Sequence, residues 1–139
     1  NSQRVDPPQA VKLGFWEVAL LPFKNYATFE GRSRRKEYWS FFILASLGQF
    51  CISFTFGFIQ GFLVSVTHGR TGYGISQWGD VLSFFFGLGI IIPMIAVGVR
   101  RLHDTNRSGW WLLFPIVNFV FLALDGDKSA NKFGPPIVK

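Results

Sequence analysis

The chain has 139 residues, enough for one domain, and only 16% of them are charged, against about 25% in soluble domains. Its 17 Phe, 5 Trp and 15 Gly collect with the aliphatic residues in long uncharged blocks. That excludes an ordinary soluble domain and fits a bilayer, where helices satisfy every backbone group internally. The net charge of +6 lies beside those blocks, so it reads as the basic bias of a cytoplasmic face and not as a nucleic-acid surface; a single Cys with two distant His excludes an internal disulfide and a zinc site.

Residues 1–12 are polar, contain Pro7 and Pro8, and read as a tail without the charged start and short apolar core of a signal peptide. Residue 1 is Asn and not Met, as expected of a chain whose natural start lies upstream. Residues 13–29 are apolar but too short and interrupted to span. Phe15, Trp16, Ala19, Leu20 and Phe23 share a helical face, with Glu17 and Lys24 elsewhere, which predicts an interfacial amphipathic helix bent near Pro22. The plainer alternative is a soluble helix packed on the rest of the protein.

In the charged stretch 30–37, Gly31 ends whatever precedes it and Ser33 is placed to cap the next helix. From Tyr38 to Val66 there is no charge for 29 residues. That is about 43 Å of helix against a hydrocarbon core of roughly 30 Å, so the helix tilts, projects, or breaks near Gly57 or Gly61. Ser46, Gln49, Ser53, Gly57 and Gly61 recur at three- or four-residue steps and form one stripe, a face that lets helices approach closely and share hydrogen bonds. Incidental placement of these small residues is the bland reading.

Residues 67–80 read as a Gly-rich external loop, Val81–Val99 as a second span kinked at Pro93, and 100–108 as a short basic loop. Gly109–Leu124 is a third apolar block of 16 residues, with Pro115 and Asn118 inside it; it spans in a thinned bilayer or re-enters. The remainder, 125–139, is a turn-rich tail. The expected fold is an all-α integral membrane protein with three transmembrane helices. Lys24, Arg32, Arg34, Arg35, Lys36, Arg100, Arg101 and Arg107 share one side in this topology, against Arg70, Lys128, Lys132 and Lys139 on the other. Eight against four puts the N-terminus in the cytoplasm and the C-terminus outside. Tyr38, Trp39, Trp78, Trp110 and Trp111 stand at block edges, where aromatic belts belong.

FEGRSRRKEYW (29–39), RRLHDTNRSGWW (100–111) and DGDKSANKFGP (125–135), with the apolar spacing between them, resemble the DUF805 family of small bacterial inner-membrane proteins, over about residues 24–135. The resemblance implies a helical fold in a bacterial inner membrane. It supplies no reaction and no catalytic residues. Family members commonly carry a third apolar block of about 20 residues, a comfortable span, and this one is shorter.

The polar residues admit several readings. Arg32, Arg34 and Arg35 with Arg100, Arg101 and Arg107 form two clusters that converge on a phosphate if guanidinium forks meet there, oriented by Glu37 and Asp104, with His103 alongside. The plainer reading is positive-inside charge plus ion pairs clamping helix ends: Glu37 with Arg100 or Arg101, and Asp104 with Arg34 or Arg35. If the second helix continues past the membrane, Arg100 and Asp104 also pair at i, i+4. His103 and Asp104 point about 100° apart on a helix, which is wrong for a catalytic dyad, and Ser108 and Thr105 lack an activating base. No charge interrupts a span, which argues against a transporter. No metal or cofactor is expected. The sequence therefore favours a non-catalytic accessory or scaffold protein that contacts a membrane-protein partner or a second copy through its first span. A binder of anionic lipid or phosphate headgroups is the second expectation, and an enzyme acting on lipid phosphate the third.

Overall fold

The structure is a computed structural model that describes residues 14–69 and 73–137. The predicted tail at 1–12 lies outside them. Four α-helices follow one another: α1 (Phe15–Lys24), α2 (Arg35–Val66), α3 (Tyr73–Asp104) and, after a 3-10 turn at Gly109–Leu113, α4 (Pro115–Ala123). No strand occurs among the described residues; Asn131 and Gly134 form one isolated bridge.

Two helices, α2 and α3, are long and apolar enough to cross a membrane. Each has 32 residues, about 48 Å of helix, so each outreaches the bilayer core. α2 does not break at Gly57 or Gly61. It ends where the chain turns left-handed at His68 (φ 51°) and Gly69 (φ 82°), with the Thr67 hydroxyl donating to Leu63 O at 2.7 Å. Ser33 does not cap it, contrary to expectation. Arg34 is the N-cap residue, and Ser33 is buried, its hydroxyl donating to Val97 O at 3.2 Å and its N–H to Arg100 O. Ser33 thereby ties the start of α2 to the end of α3.

The loop expected at 67–80 is shorter, because α3 starts at Tyr73. The reason is packing. At Gly79 a Cβ would sit 2.6 Å from Phe56 Cβ, so this glycine marks a close helix approach and not a turn. Farther along the pair, Phe86 closes over Gly48 in the same way. At its other end α3 runs through Arg100–Asp104, residues expected in a loop. It closes at Asn106 (φ 57°), where Arg107 N–H donates to Leu102 O and Asn106 N–H to His103 O, the paired bonds of a Schellman stop.

The third apolar block does not form a helix long enough to cross a membrane. It is a five-residue 3-10 turn followed by a nine-residue α4, about 13 Å of α-helix. It begins with Gly109 against Val99 and ends with Arg101 Nε donating to Leu122 O at 3.2 Å. The block thus leaves and rejoins the same end of the helix pair. The short length that left re-entry open in the sequence is the physical reason, reinforced by a buried arginine that captures the carbonyls at the far end of α4.

The buried core, Tyr38, Phe41, Val97, Leu102 and Leu122, sits at that end, where α1, α2, α3 and α4 meet. Tyr38 belongs to this core and not to an aromatic belt, whereas Trp78 and Trp110 are 70% and 77% exposed. In α1, Ala19 and Pro22 face the bundle, and Phe15, Trp16, Leu20 and Phe23 are exposed. Just past α1, Tyr26 Oη donates to Gly89 O at 2.7 Å. That carbonyl is the one Pro93 cannot serve, because proline lacks the N–H of the i to i−4 bond. The segment that follows α1 therefore repairs a gap in α3.

Candidate functional site

Asp104 organises the polar residues at the core end. Arg32 Nε donates to its Oδ1 at 2.8 Å, and Arg101 Nη1 bonds its Oδ2. Both arginine side chains are almost fully buried. Their remaining donors go to carbonyls of the C-terminal segment: Arg32 to Asp127 O and Ser129 O, Arg101 to Leu122 O and Leu124 O. Asp127 N–H returns a bond to Asp104 O at 2.8 Å. Gly126 is required here, since any Cβ would overlap the Asp104 carboxylate. Two guanidiniums, one carboxylate and the DGD turn thus form one lock.

A second pair lies beside it. Arg100 Nη2 is 3.0 Å from Glu37 Oε1, and both side chains are under 10% exposed. The contact is Coulombic and poorly directed: Glu37 Oε1 and Arg100 Nε and Nη2 have no hydrogen-bond partner. Glu37 was expected to meet Arg100 or Arg101, and it meets Arg100. Asp104 was expected to meet Arg34 or Arg35, or Arg100 on its own helix, and it meets Arg32 and Arg101 instead. The i, i+3 neighbour wins because Arg100 already faces α2. Arg35 pairs with Asp125 at 2.7 Å in the open, and Arg107 lies 3.9 Å over the Phe121 ring.

His103 stacks on Phe133 with ring centroids 3.8 Å apart, and its Nδ1 lies 3.2 Å from Gly31 O. A carbonyl only accepts, so Nδ1 carries the hydrogen. The residue stands four positions past the last apolar residue of the span, Val99. Burial pushes its pKa below the ordinary value; the Gly31 contact opposes that shift and Lys132 adds to it. Asp104 turns to the arginines and His103 to Gly31 and Phe133, so the two neighbours serve different partners. Thr105 donates to Leu102 O. No group of three or more His, Cys, Asp or Glu able to hold a metal occurs among the described residues.

The small-residue stripe lies elsewhere. Ser46, Ser53, Gly57 and Gly61 are exposed and Gln49 half-buried. A Cβ added at Gly57 or Gly61 would meet nothing within 4 Å. The α2 residues that do approach α3, Gly48 and Phe56, lie off the stripe. Ser46, Gln49 and Ser53 instead line an open groove of about 490 Å³ with Gly87 and Ile90 of α3. The sequence missed two participants, the DGD turn and Tyr26. The glycine between two aspartates and the proline within an apolar block were the available signals.

Comparison with known proteins agrees with this picture. The model of a family described as a protein of unknown function, DUF805, matches residues 26–135. The chain is 35% identical over 127 residues to inner membrane protein YhaH of Escherichia coli (strain K12), covering 86% of this chain and 93% of that protein. It is 33% identical over 126 residues to inner membrane protein YhaI of the same strain, covering 86% and 92%. No solved structure matches. The FEGRSRR, RRLHD and DGD strings fall inside the matched region and supply the lock just described, and the chain belongs to the DUF805 family.

Proposed function

We propose that this chain is a non-catalytic accessory or scaffold protein of the bacterial inner membrane, whose outward face of α2 contacts a larger membrane protein or a second copy. One observation carries the reading: Ser46, Ser53, Gly57 and Gly61 of the stripe are exposed, and a Cβ at Gly57 or Gly61 would meet nothing within 4 Å. In lipid, helices gain little from hiding leucine and more from close backbone approach and shared hydrogen bonds, so an open stripe of this kind suits a partner helix. The arginines favour this reading over a general headgroup binder. Arg32, Arg100, Arg101 and Arg107 are engaged within the protein.

The fold and the charges together support an orientation. The start of α2, the end of α3 and the C-terminal segment occupy one end of the bundle. With Lys128 and Lys132 moved to that side, ten of the twelve basic residues counted gather there. This end faces the cytoplasm. The chain crosses twice, and both its N-terminal and C-terminal segments are cytoplasmic, in place of the periplasmic C-terminus expected from three spans.

Replacing Gly57 and Gly61 by Leu tests the association. Both positions face open space, and Leu favours helix over Gly by up to about 1 kcal/mol per site, so the monomer stays folded. The expected result, by native mass spectrometry of gently solubilised protein, is loss of the co-purifying partner or of the oligomer with an unchanged melting temperature. Unchanged assembly, or unfolding of the monomer, counts against it.

A further inference from the structure

A cavity of about 230 Å³ opens at the start of α2, between Arg34 and Lys36 on one side and the DGD turn on the other. Two of its charges are spoken for: Arg35 pairs with Asp125, and Asp104 is held by Arg32 and Arg101. Three are not balanced in the same way. Arg34 and Lys36 make no ion pair among the described residues, and the Asp127 carboxylate takes a single 3.2 Å bond from Asn131 Nδ2. The N-cap residue Arg34 makes no side-chain cap bond, which leaves partial positive charge at the start of α2, offset in part by the first-turn carboxylate of Glu37.

We propose that this cavity holds a zwitterionic headgroup, a phosphate ester joined to a primary ammonium. Arg34, Lys36 and the first-turn amides take the phosphate, and Asp127 takes the ammonium. The acidic wall decides the chemistry. A purely anionic phosphate gains from the basic side but faces the Asp127 carboxylate across a small space. An ammonium a few bonds away turns that repulsion into attraction. α4 ends at Ala123, two residues before Asp125 of the cavity wall, and its Ile116, Phe119 and Val120 are exposed apolar surface. The cavity thus stands where an apolar surface meets a charged one, the level of lipid headgroups. This inference does not depend on the association proposed for α2.

The test is native mass spectrometry of protein released from nanodiscs of equimolar phosphatidylethanolamine and phosphatidylglycerol. The wild type is expected to retain phosphatidylethanolamine over phosphatidylglycerol by about threefold, the size of one partly exposed ion pair. Arg34→Gln and Lys36→Gln each lower that retention by about the same factor, and Asp127→Asn removes the preference for the zwitterion. Lys132→Gln, outside the cavity, leaves retention unchanged. Displacement of the bound lipid by millimolar glycerophosphoethanolamine assigns the site to the free headgroup, and its persistence assigns it to the membrane lipid. Equal retention of the two lipids by the wild type overturns the proposal. So does retention unaffected by Arg34→Gln and Lys36→Gln with the melting temperatures unchanged.

Discussion

At the scale of single residues, burial separates the ion pairs that matter from those that do not. Asp104 is 10% exposed at its side chain and sits between two guanidiniums with 2% and 0% exposure. Turning it into Asn leaves two buried cations facing a neutral amide, a loss of about 3–5 kcal/mol. The Arg35–Asp125 pair is 46% and 64% exposed, so Arg35→Gln costs under about 1 kcal/mol. Thermal unfolding in mild detergent should separate the two variants clearly. If Asp104→Asn shifts the midpoint no more than Arg35→Gln does, the lock does not hold the fold. Glu37 and Arg100 differ again. They are buried together 3.0 Å apart, yet three of their polar atoms lack directed partners.

At the scale of elements, α3 shows how a proline is tolerated in a helix long and apolar enough to cross a membrane. Pro93 is fully buried and leaves Gly89 O without its helical donor. Tyr26 supplies one from outside the helix, at 2.7 Å. Tyr26→Phe therefore costs about 1 kcal/mol, the net worth of such a bond. Pro93→Ala restores the backbone N–H and makes the tyrosine redundant. In a double-mutant cycle the cost of Tyr26→Phe should shrink by about 1 kcal/mol in the Pro93→Ala background. Additive effects would mean that the hydroxyl bond contributes nothing to α3. The same contact adds to the docking of α1, which buries Ala19 and Pro22 and sets the Phe23 ring edge-on against Phe41 at 5.2 Å.

At the scale of the whole molecule, stabilising contacts are concentrated at one end. The core and the arginine lock gather where all four helices meet, while the far halves of α2 and α3 touch mainly each other. This asymmetry makes the topology testable. In a Cys51→Ala background, Glu30→Cys and Ala130→Cys lie at the locked end and Gln77→Cys at the other, all three on exposed residues. A membrane-impermeant maleimide on intact cells is expected to label Gln77→Cys, and the other two only after lysis. Labelling of Ala130→Cys from outside while Glu30→Cys stays protected would restore a third span and remove the re-entrant block.

The sequence by itself determined the solvent and the element type. Two charge-free blocks, of 29 and 19 residues, are long enough to cross a bilayer core and leave the backbone no option there but helix, because this is a property of composition along a line. The three polar strings were legible as a group for the same reason, and they carried the family. What only the tertiary structure decided was pairing. Asp104 had Arg34, Arg35 and Arg100 as candidates, and the choice of Arg32 and Arg101 depends on where Ser33 pins the start of α2 to Val97 and Arg100. Helix ends also escaped the linear reading. Gly79 looked like a loop residue until Phe56 occupied the space above it, and the basic 100–104 segment looked like a loop until Arg101 had Leu122 and Leu124 to hold. The fate of the third block turned on that same side chain. Sixteen apolar residues can cross a thin membrane or turn back, and a buried guanidinium that must bond its donors draws the chain back to where the carbonyls are needed.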